Sequence, residues 1–392
     1  MTGTERRASS ALAAIFAQRM LGLFLVLPVF ALEAARLPGG EDAARVGLAM
    51  GLYGLTQALL QIPFGVASDR FGRKPTIVAG LLVFALGSAV AAWAPDLTWL
   101  TVGRALQGAG AISAAVTAFL ADVTRDGVRT KAMAMVGGSI GLMFALALVL
   151  SPLLAAWGGL PGIFGLTCAL ALAGIAVVLW VVPPEPARHA DQPRGRMAEL
   201  WRHGDLVRLN LGVFVLHTVQ MSMWVAVPAM LVQAGLDKQA HWHVYLPAVV
   251  LSFAAMGGLF AMERRGRLRA ALLGAIALIT LVQIGLGLLA AGGTQPPLWA
   301  MAVLMFVFFC GFNALEASQP SLVSRMAPPQ VRGAALGSYN TLQSLGLFAG
   351  GALGGALVKW AGAPGLFAAT TVLTALWLVL TWPLRPVGRG GH

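Results

Sequence analysis

Long apolar runs alternate with short polar interruptions along the whole chain, and each run is close to 20 residues long. A stretch of that length with almost no charge crosses hydrocarbon as a helix. Twelve are readable. Spans 1 to 6 fall near 12–35, 45–67, 74–94, 98–122, 131–156 and 161–182, and spans 7 to 12 near 206–234, 241–262, 270–292, 297–324, 331–358 and 363–383. The pattern predicts an all-α membrane protein of twelve transmembrane helices in two pseudo-symmetric six-helix bundles, residues 1–182 and 206–392. Between them, residues 183–205 form the only long polar stretch, rich in Pro and Arg, and read as a linker. Met197 to His203 has the pattern of a short amphipathic helix on the membrane face, and equally that of a solvated connector.

Among the polar interruptions, GVASDRFGRK (Gly65 to Lys74) is a burst of charge wedged between two long apolar runs. Asp69, Arg70, Arg73 and Lys74 cannot sit in hydrocarbon, so they mark a water-facing turn between spans 2 and 3. Gly65 and Gly72 would let helices approach closely on either side of it. Asp69 can accept from helix N-terminal amides, and the cations can meet helix C-termini. A degenerate copy lies 194 residues further on, where Glu263, Arg264, Gly266 and Arg267 repeat Asp69, Arg70, Gly72 and Arg73. A second trace of duplication relates the segments beginning at Gly108 and Gly311, 203 residues apart. Two related bundles imply a substrate cavity at their interface near the membrane midplane.

Composition narrows the class further. Of 392 residues, 58% are hydrophobic and 11% charged, with mean hydropathy +0.79, more apolar surface than a soluble core could bury. A formal net charge of +12 raises nucleic acid as a partner, but the distribution argues against it. Of the 27 Lys and Arg, Arg36, Arg45, Lys238 and Lys359 fall in expected outer loops, Arg19 and Arg104 fall within spans, and the others lie on the cytoplasmic side. That asymmetry is the positive-inside signal and places both termini in the cytoplasm. Cys168 and Cys310 lie in apolar spans and read as small core residues, with neither a disulfide framework nor a metal site. Arg6 and Arg7 precede an apolar run as in a signal peptide, but Arg19 interrupts the run and no cleavage site follows, so a retained first helix is expected.

Intramembrane charge is costly enough to point to function. Arg19 and Arg104 each lie about 10 Å inside their spans at 1.5 Å per residue. Glu33 stands near the outer end of span 1 and Glu316 deep in span 10. An isolated carboxylate at low dielectric titrates nearer neutrality, as a reversible proton carrier must, and a structural partner for Arg or a helix end is the competing reading. Polar residues placed to line a cavity are Gln57 and Gln61 in span 2, His217 and Gln220 in span 7, Asn313 in span 10, and Asn340 and Gln343 in span 11, with Trp224 as a stacking face. His217 alone reads more readily as an interhelical hydrogen-bond partner than as a titrating site. Gly47, Gly51, Gly346, Gly350 and Gly354 recur at four-residue spacing and would let helices touch and slide. GGSIG around Ser139 matches a nucleophile pattern, yet it stands mid-helix with no strand before it, so catalysis is not expected.

The Gly65 to Lys74 segment resembles the signature loop between helices 2 and 3 of the major facilitator superfamily, position for position. LTVGRALQGAGAI, with Arg104, Gln107, Gly108 and Gly110, resembles that family's helix 4 signature, whose Arg is associated with proton coupling in drug:proton antiporters; such a cation is expected to hold a carboxylate deprotonated until substrate or a conformational change weakens the pair. The antiporter signature of helix 5 is only partly matched, in a run holding Gly141, Ser151 and Pro152: Ser151 stands where Gly precedes Pro, and the paired glycines come late, at Gly158 and Gly159. RMLGLFLVLPVF (Arg19 to Phe30) and FNALEASQPSLVSRMAP (Phe312 to Pro328) are similar to a YajR-type antiporter subgroup, with no C-terminal soluble domain expected here. The resemblance implies the following. The loop latches the outward-open state, Asp69 caps helix 11 near 331–334, Arg73 pairs with Asp122, and helices 2, 5, 8 and 11 face one another between the halves.

The expected protein is therefore a bacterial inner-membrane secondary transporter, a monomer with no cofactor, drawing on a proton gradient to export small drug-like or amphiphilic molecules. Glu316, Arg104, Glu33 and Arg19 are the coupling candidates. A transporter of sugars or amino-acid-like solutes is the second reading, kept by the helix 5 departure and the amide-rich cavity residues. A membrane scaffold or enzyme is the third, and no triad, phosphate loop or metal spacing supports it.

Overall fold

The computed structural model of the chain describes residues 1–185, 203–328 and 332–384, and it separates into two compact units, Met1–Asp191 and Gln192–His392. The expected linker helix falls on residues that, His203 apart, lie outside the described ones, as does most of the linker. The side chains of Glu263 and Arg264 and part of the expected Asp69 cap at 331–334 lie outside them too.

The first unit is built from α1 (Gly3–Phe24), α2 (Phe30–Ala34), α3 (Ala43–Phe71), α4 (Arg73–Ala92), α5 (Leu97–Ala109), α6 (Ser113–Asp122) and α7 (Asp126–Ala176). The second contains α8 (Gly204–Gln233), α9 (Trp242–Arg264), α10 (Leu268–Ala291), α11 (Leu298–Met326) and α12 (Arg332–Thr381). Leu12, Ile15, Ile77, Ile112, Val116 and Phe119 form one core between α1, α4 and α6. Leu59, Leu86, Leu142, Leu281 and Leu288 remain exposed on helix flanks, the surface a helix offers to lipid.

Seven described stretches are long and apolar enough to cross a membrane. Two of them, within α7 and α12, run through a kink and hold two crossings each, and α1 with α2, α3 and α9 complete the set of twelve. The α1 crossing is less apolar because α1 carries Glu5, Arg6, Arg7 and Arg19, and the α3 crossing because Gln57, Gln61, Pro63 and glycines interrupt its charge-free run.

Two spans expected to be unbroken are broken. Span 1 divides at 25–29, because Pro28 lacks an amide donor and its ring obstructs a continuing helix. The helix that carries it begins earlier, ahead of the apolar run, at Gly3, where Thr2 and Glu5 form a reciprocal capping box. Span 4 divides between α5 and α6. There a Cβ on Gly108 would stand 2.1 Å from the Tyr53 carbonyl oxygen, and one on Gly110 would stand 2.5 Å from that of Gly80, so the chain passes two backbones at a distance only glycine permits.

The kinks reveal a third trace of duplication. Gly159 (φ 59°) turns α7 and Gly362 (φ 66°) turns α12, both in backbone that favours glycine. Around them Trp157, Gly159, Pro161, Gly162 and Phe164 recur as Trp360, Gly362, Pro364, Gly365 and Phe367, again 203 residues apart. Both phenylalanines are fully buried, while Trp157 and Trp360 are 92% and 77% exposed.

The glycine stripe of α12 serves packing inside its own unit. A Cβ on Gly346 would lie 2.4 Å from the Phe214 carbonyl oxygen, and one on Gly350 would lie 2.2 Å from that of Thr218, so α12 rests on the backbone of α8. The residues expected to slide between halves thus have a close-packing task within one of them.

Candidate functional site

Three polar groupings stand out, two in the first unit and one in the second. The first is the charged turn. Gly72, with φ 116° and ψ 154°, joins α3 to α4 and has no side chain to cap the helix that follows. Arg73 binds across the turn: its Nη1 donates to Asp69 Oδ1 at 2.6 Å and to Ser68 Oγ at 3.1 Å, and its Nε donates to Asp122 Oδ2 at 2.8 Å. Arg70 lies over the Phe71 ring, 5.4 Å from its centre. Gly65 makes no close approach, since a Cβ there would meet only Ala114, at 3.8 Å.

Glu185, beyond the end of α7, completes this turn. Its carboxylate accepts from the backbone amides of Arg73 at 3.0 Å and Lys74 at 2.6 Å, while Lys74 Nζ donates to the Val182 carbonyl at 2.6 Å. A carboxylate on the first amides of a helix is favoured by the orphan donors and the positive end of the helix dipole. Sequence reasoning missed it, because nothing local in PPEP signals a partner 111 residues away.

The second grouping lies inside the first unit. Arg19 is 2% exposed and Arg104 fully buried. Arg19 donates from Nη1 to Ser113 Oγ at 3.1 Å and from Nη2 to Gln57 Oε1 at 2.9 Å. Arg104 Nη1 donates to Gln107 Oε1 at 2.8 Å, and Gln107 Nε2 donates in turn to Ser88 Oγ at 2.8 Å. Both guanidinium carbons lie near the Tyr53 ring, 6.0 Å and 4.8 Å from its centre. Gln61 is buried with its Oε1 unpartnered. Neither arginine has a carboxylate within 4 Å among the described residues. Glu33 Oε2 lies instead 3.7 Å from Arg36 Nη1. The expected Arg104 to carboxylate pairing is therefore absent in this conformation.

The third grouping joins α8, α11 and α12. His217 Nδ1 faces the Val213 carbonyl oxygen at 3.0 Å, which fixes that nitrogen as the donor. Gln343 Nε2 then donates one hydrogen to His217 Nε2 at 2.8 Å and the other to Glu316 Oε1 at 3.2 Å. Glu316 Oε2, 3.5 Å from His217 Nε2, has no hydrogen-bond partner. Three residues named separately from the sequence thus meet in one network.

One turn along α8, Gln220 and Trp224 line a small open recess of about 10 Å³ with Met223, Val227, Met305, Phe308 and Phe309. Asn313 is not part of it: its Nδ2 donates to Ser252 Oγ at 2.7 Å, a buried tie between α11 and α9. The Asn340 carbonyl accepts from Ser344 Oγ within α12. Gly141, Ser151 and Pro152 all sit in α7 ahead of its kink at Gly159, and Ser151 is fully buried with an unpartnered hydroxyl.

Comparison with known proteins agrees with this architecture. The chain is 41% identical over 390 residues to the inner membrane transport protein YajR of Escherichia coli K12, covering 98% of this chain and 85% of that one. It is 28% identical over 356 residues to the multidrug resistance protein MdtH of Aeromonas salmonicida, covering 88% and 86%. Among solved structures, a bacterial homologue of the human lysosomal transporter Spinster, inward-facing and unoccupied, superimposes with a TM-score of 0.76 at 16% identity over 97% of each chain. The Major Facilitator Superfamily profile matches residues 8–351 and again 209–392, and the chain is a membrane-embedded transporter belonging to that superfamily.

Proposed function

We propose that this transporter is a proton-driven exporter of small drug-like or amphiphilic molecules, with both termini in the cytoplasm. The observation that carries the reading is the network of His217, Glu316 and Gln343. With His217 neutral, its Nε2 accepts from Gln343, which ties α8 to α12. Once protonated, Nε2 becomes a donor and the Gln343 amide can no longer donate to it. The new N–H finds Glu316 Oε2, already 3.5 Å away, so one proton exchanges an α8 to α12 tie for an α8 to α11 ion pair. A proton that rewires helix contacts is what coupling to a conformational cycle requires. The recess beside the network offers Trp224, Phe308, Phe309 and two methionines, chemistry suited to an amphiphilic body more than to a sugar. The multidrug assignment of MdtH points the same way.

The charged turn supplies the latch in this reading: Arg73 draws α3 to the end of α6, and Glu185 with Lys74 draws the chain after α7 onto α4. The test is ΔpH-driven accumulation of a dye panel in inverted vesicles. Glu316→Gln and His217→Gln should each reduce the gradient-dependent part to the leak level while counterflow exchange persists. Gradient-driven flux at wild-type rate in both variants would overturn the assignment.

A further inference from the structure

Arg104 shows a free edge of specific shape. Its Nη1 is held by Gln107, itself anchored on Ser88, so the guanidinium is fixed in orientation. Its Nε and Nη2 are both buried and without a hydrogen-bond partner. Those two atoms form the edge by which an arginine grips a carboxylate side-on with two parallel hydrogen bonds. The same chain displays the completed geometry elsewhere: Arg125 donates from Nε at 2.8 Å and from Nη2 at 3.2 Å to the two oxygens of Glu5.

A buried cation without a counter-charge costs several kcal/mol. Here two arginines lie beside one tyrosine ring, with no carboxylate in ion-pair reach of either among the described residues. Arg19 Nε and the Tyr53 hydroxyl are likewise buried and unpartnered. Polar contacts that the fold could have satisfied with a glutamate are left as donors only, and Phe30 adds an aromatic face 5.8 Å from the Arg104 guanidinium carbon. Donors without acceptors, two positive charges and aromatic walls together describe a seat for an anion with an apolar body.

We propose that the Nε–Nη2 edge of Arg104 binds the carboxylate of an amphiphilic organic acid, with Arg19 supplying a second positive charge beside the same ring. The site thereby names a substrate class for the exporter. Because Arg104 is closed off from solvent in this conformation, the ligand reaches it during the conformational cycle, and to that extent the inference rests on the transport reading.

Equilibrium binding in nanodiscs, with no gradient applied, tests it separately from coupling. The probes are 2-naphthoate, its neutral amide and 2-naphthalenesulfonate, and the readouts are thermal shift and intrinsic tryptophan fluorescence. The acid should stabilise the wild-type protein and the amide should not. Arg104→Lys, which keeps the charge but loses the two-toothed edge, should weaken naphthoate at least about tenfold, the loss of one charge-assisted hydrogen bond. Lys238→Gln, which removes a positive charge from a loop of the other unit, should leave that affinity unchanged. Equal stabilisation by acid and amide overturns the anion site on wild-type protein alone, whether or not the arginine variant folds. Equal stabilisation by the sulfonate overturns the commitment to a planar carboxylate. Loss of gradient-driven flux in the His217 variant alongside selective naphthoate binding would leave both readings standing. Naphthoate binding without proton-coupled flux in the wild type would sink only the first.

Discussion

Glu185 gives the sharpest quantitative expectation. It takes the place of a missing N-cap on α4, where Gly72 offers no side chain, by accepting from two first-turn amides. Replacing a capping acceptor typically costs about 0.5–2 kcal/mol, and a negative charge at the helix start contributes about 0.3–1 kcal/mol more. Glu185→Ala should therefore destabilise the first unit by about 1–3 kcal/mol. Glu185→Gln keeps an acceptor and loses the charge, so only the electrostatic part, about 0.3–1 kcal/mol, should go. At about 2–4 °C per kcal/mol for a unit of this size, alanine should lower the melting temperature several-fold more than glutamine does. The assay is thermal unfolding in detergent, repeated at 1 M salt, where the difference between wild type and the glutamine variant should shrink because the charge is screened. An alanine variant that melts with the wild type would refute the capping argument. A glutamine variant as damaged as alanine would show that charge, not hydrogen bonding, holds the turn.

Two further expectations concern stability. Glu5 sits at the capped start of α1, ahead of the apolar run, and Arg125 with the Thr2 amide lowers its pKa from 4.5 to about 2. A depressed carboxylate contributes stability above the unfolded value and loses it as pH falls through the folded one. Thermal stability should thus decline between about pH 4.5 and pH 2, and Glu5→Gln should flatten that decline when melting is followed across the window. Gly350→Ala would place a methyl 2.2 Å from the Thr218 carbonyl oxygen and force α12 off α8, at a cost of about 1–3 kcal/mol. Gly137→Ala meets nothing within 4 Å and should be neutral or slightly stabilising, and the two melting curves side by side check the packing argument.

Much of the architecture is legible from residue order, because a bilayer demands a run of about 20 apolar residues for each crossing. What escaped were features set by contact between distant parts. Breaks at Pro28 and Gly110 follow local rules, yet hydropathy alone runs straight across them. Glu185 is one acid in a Pro-rich stretch, and its role exists only because α7 returns to the start of α4. His217, Gln343 and Glu316 were each readable as intramembrane polar residues, but nothing in their spacing says that α8, α11 and α12 bring them together. Arg104 was expected to hold a carboxylate of the chain, and the fold gave its Nη1 to Gln107 instead. The repeated Trp, Gly, Pro and Phe positions at the two kinks are readable in the sequence, but nothing local in them says that they turn a helix.

Those tryptophans carry a consequence of their own. Indole rings prefer the headgroup zone, and Trp157 and Trp360 project from equivalent bends, so each repeat brings its own float line. Thinning or thickening the lipid leaf costs fractions of a kcal/mol per ångström of mismatch. With an exposed tryptophan at the same bend of each repeat, each half carries its own sensor of that load.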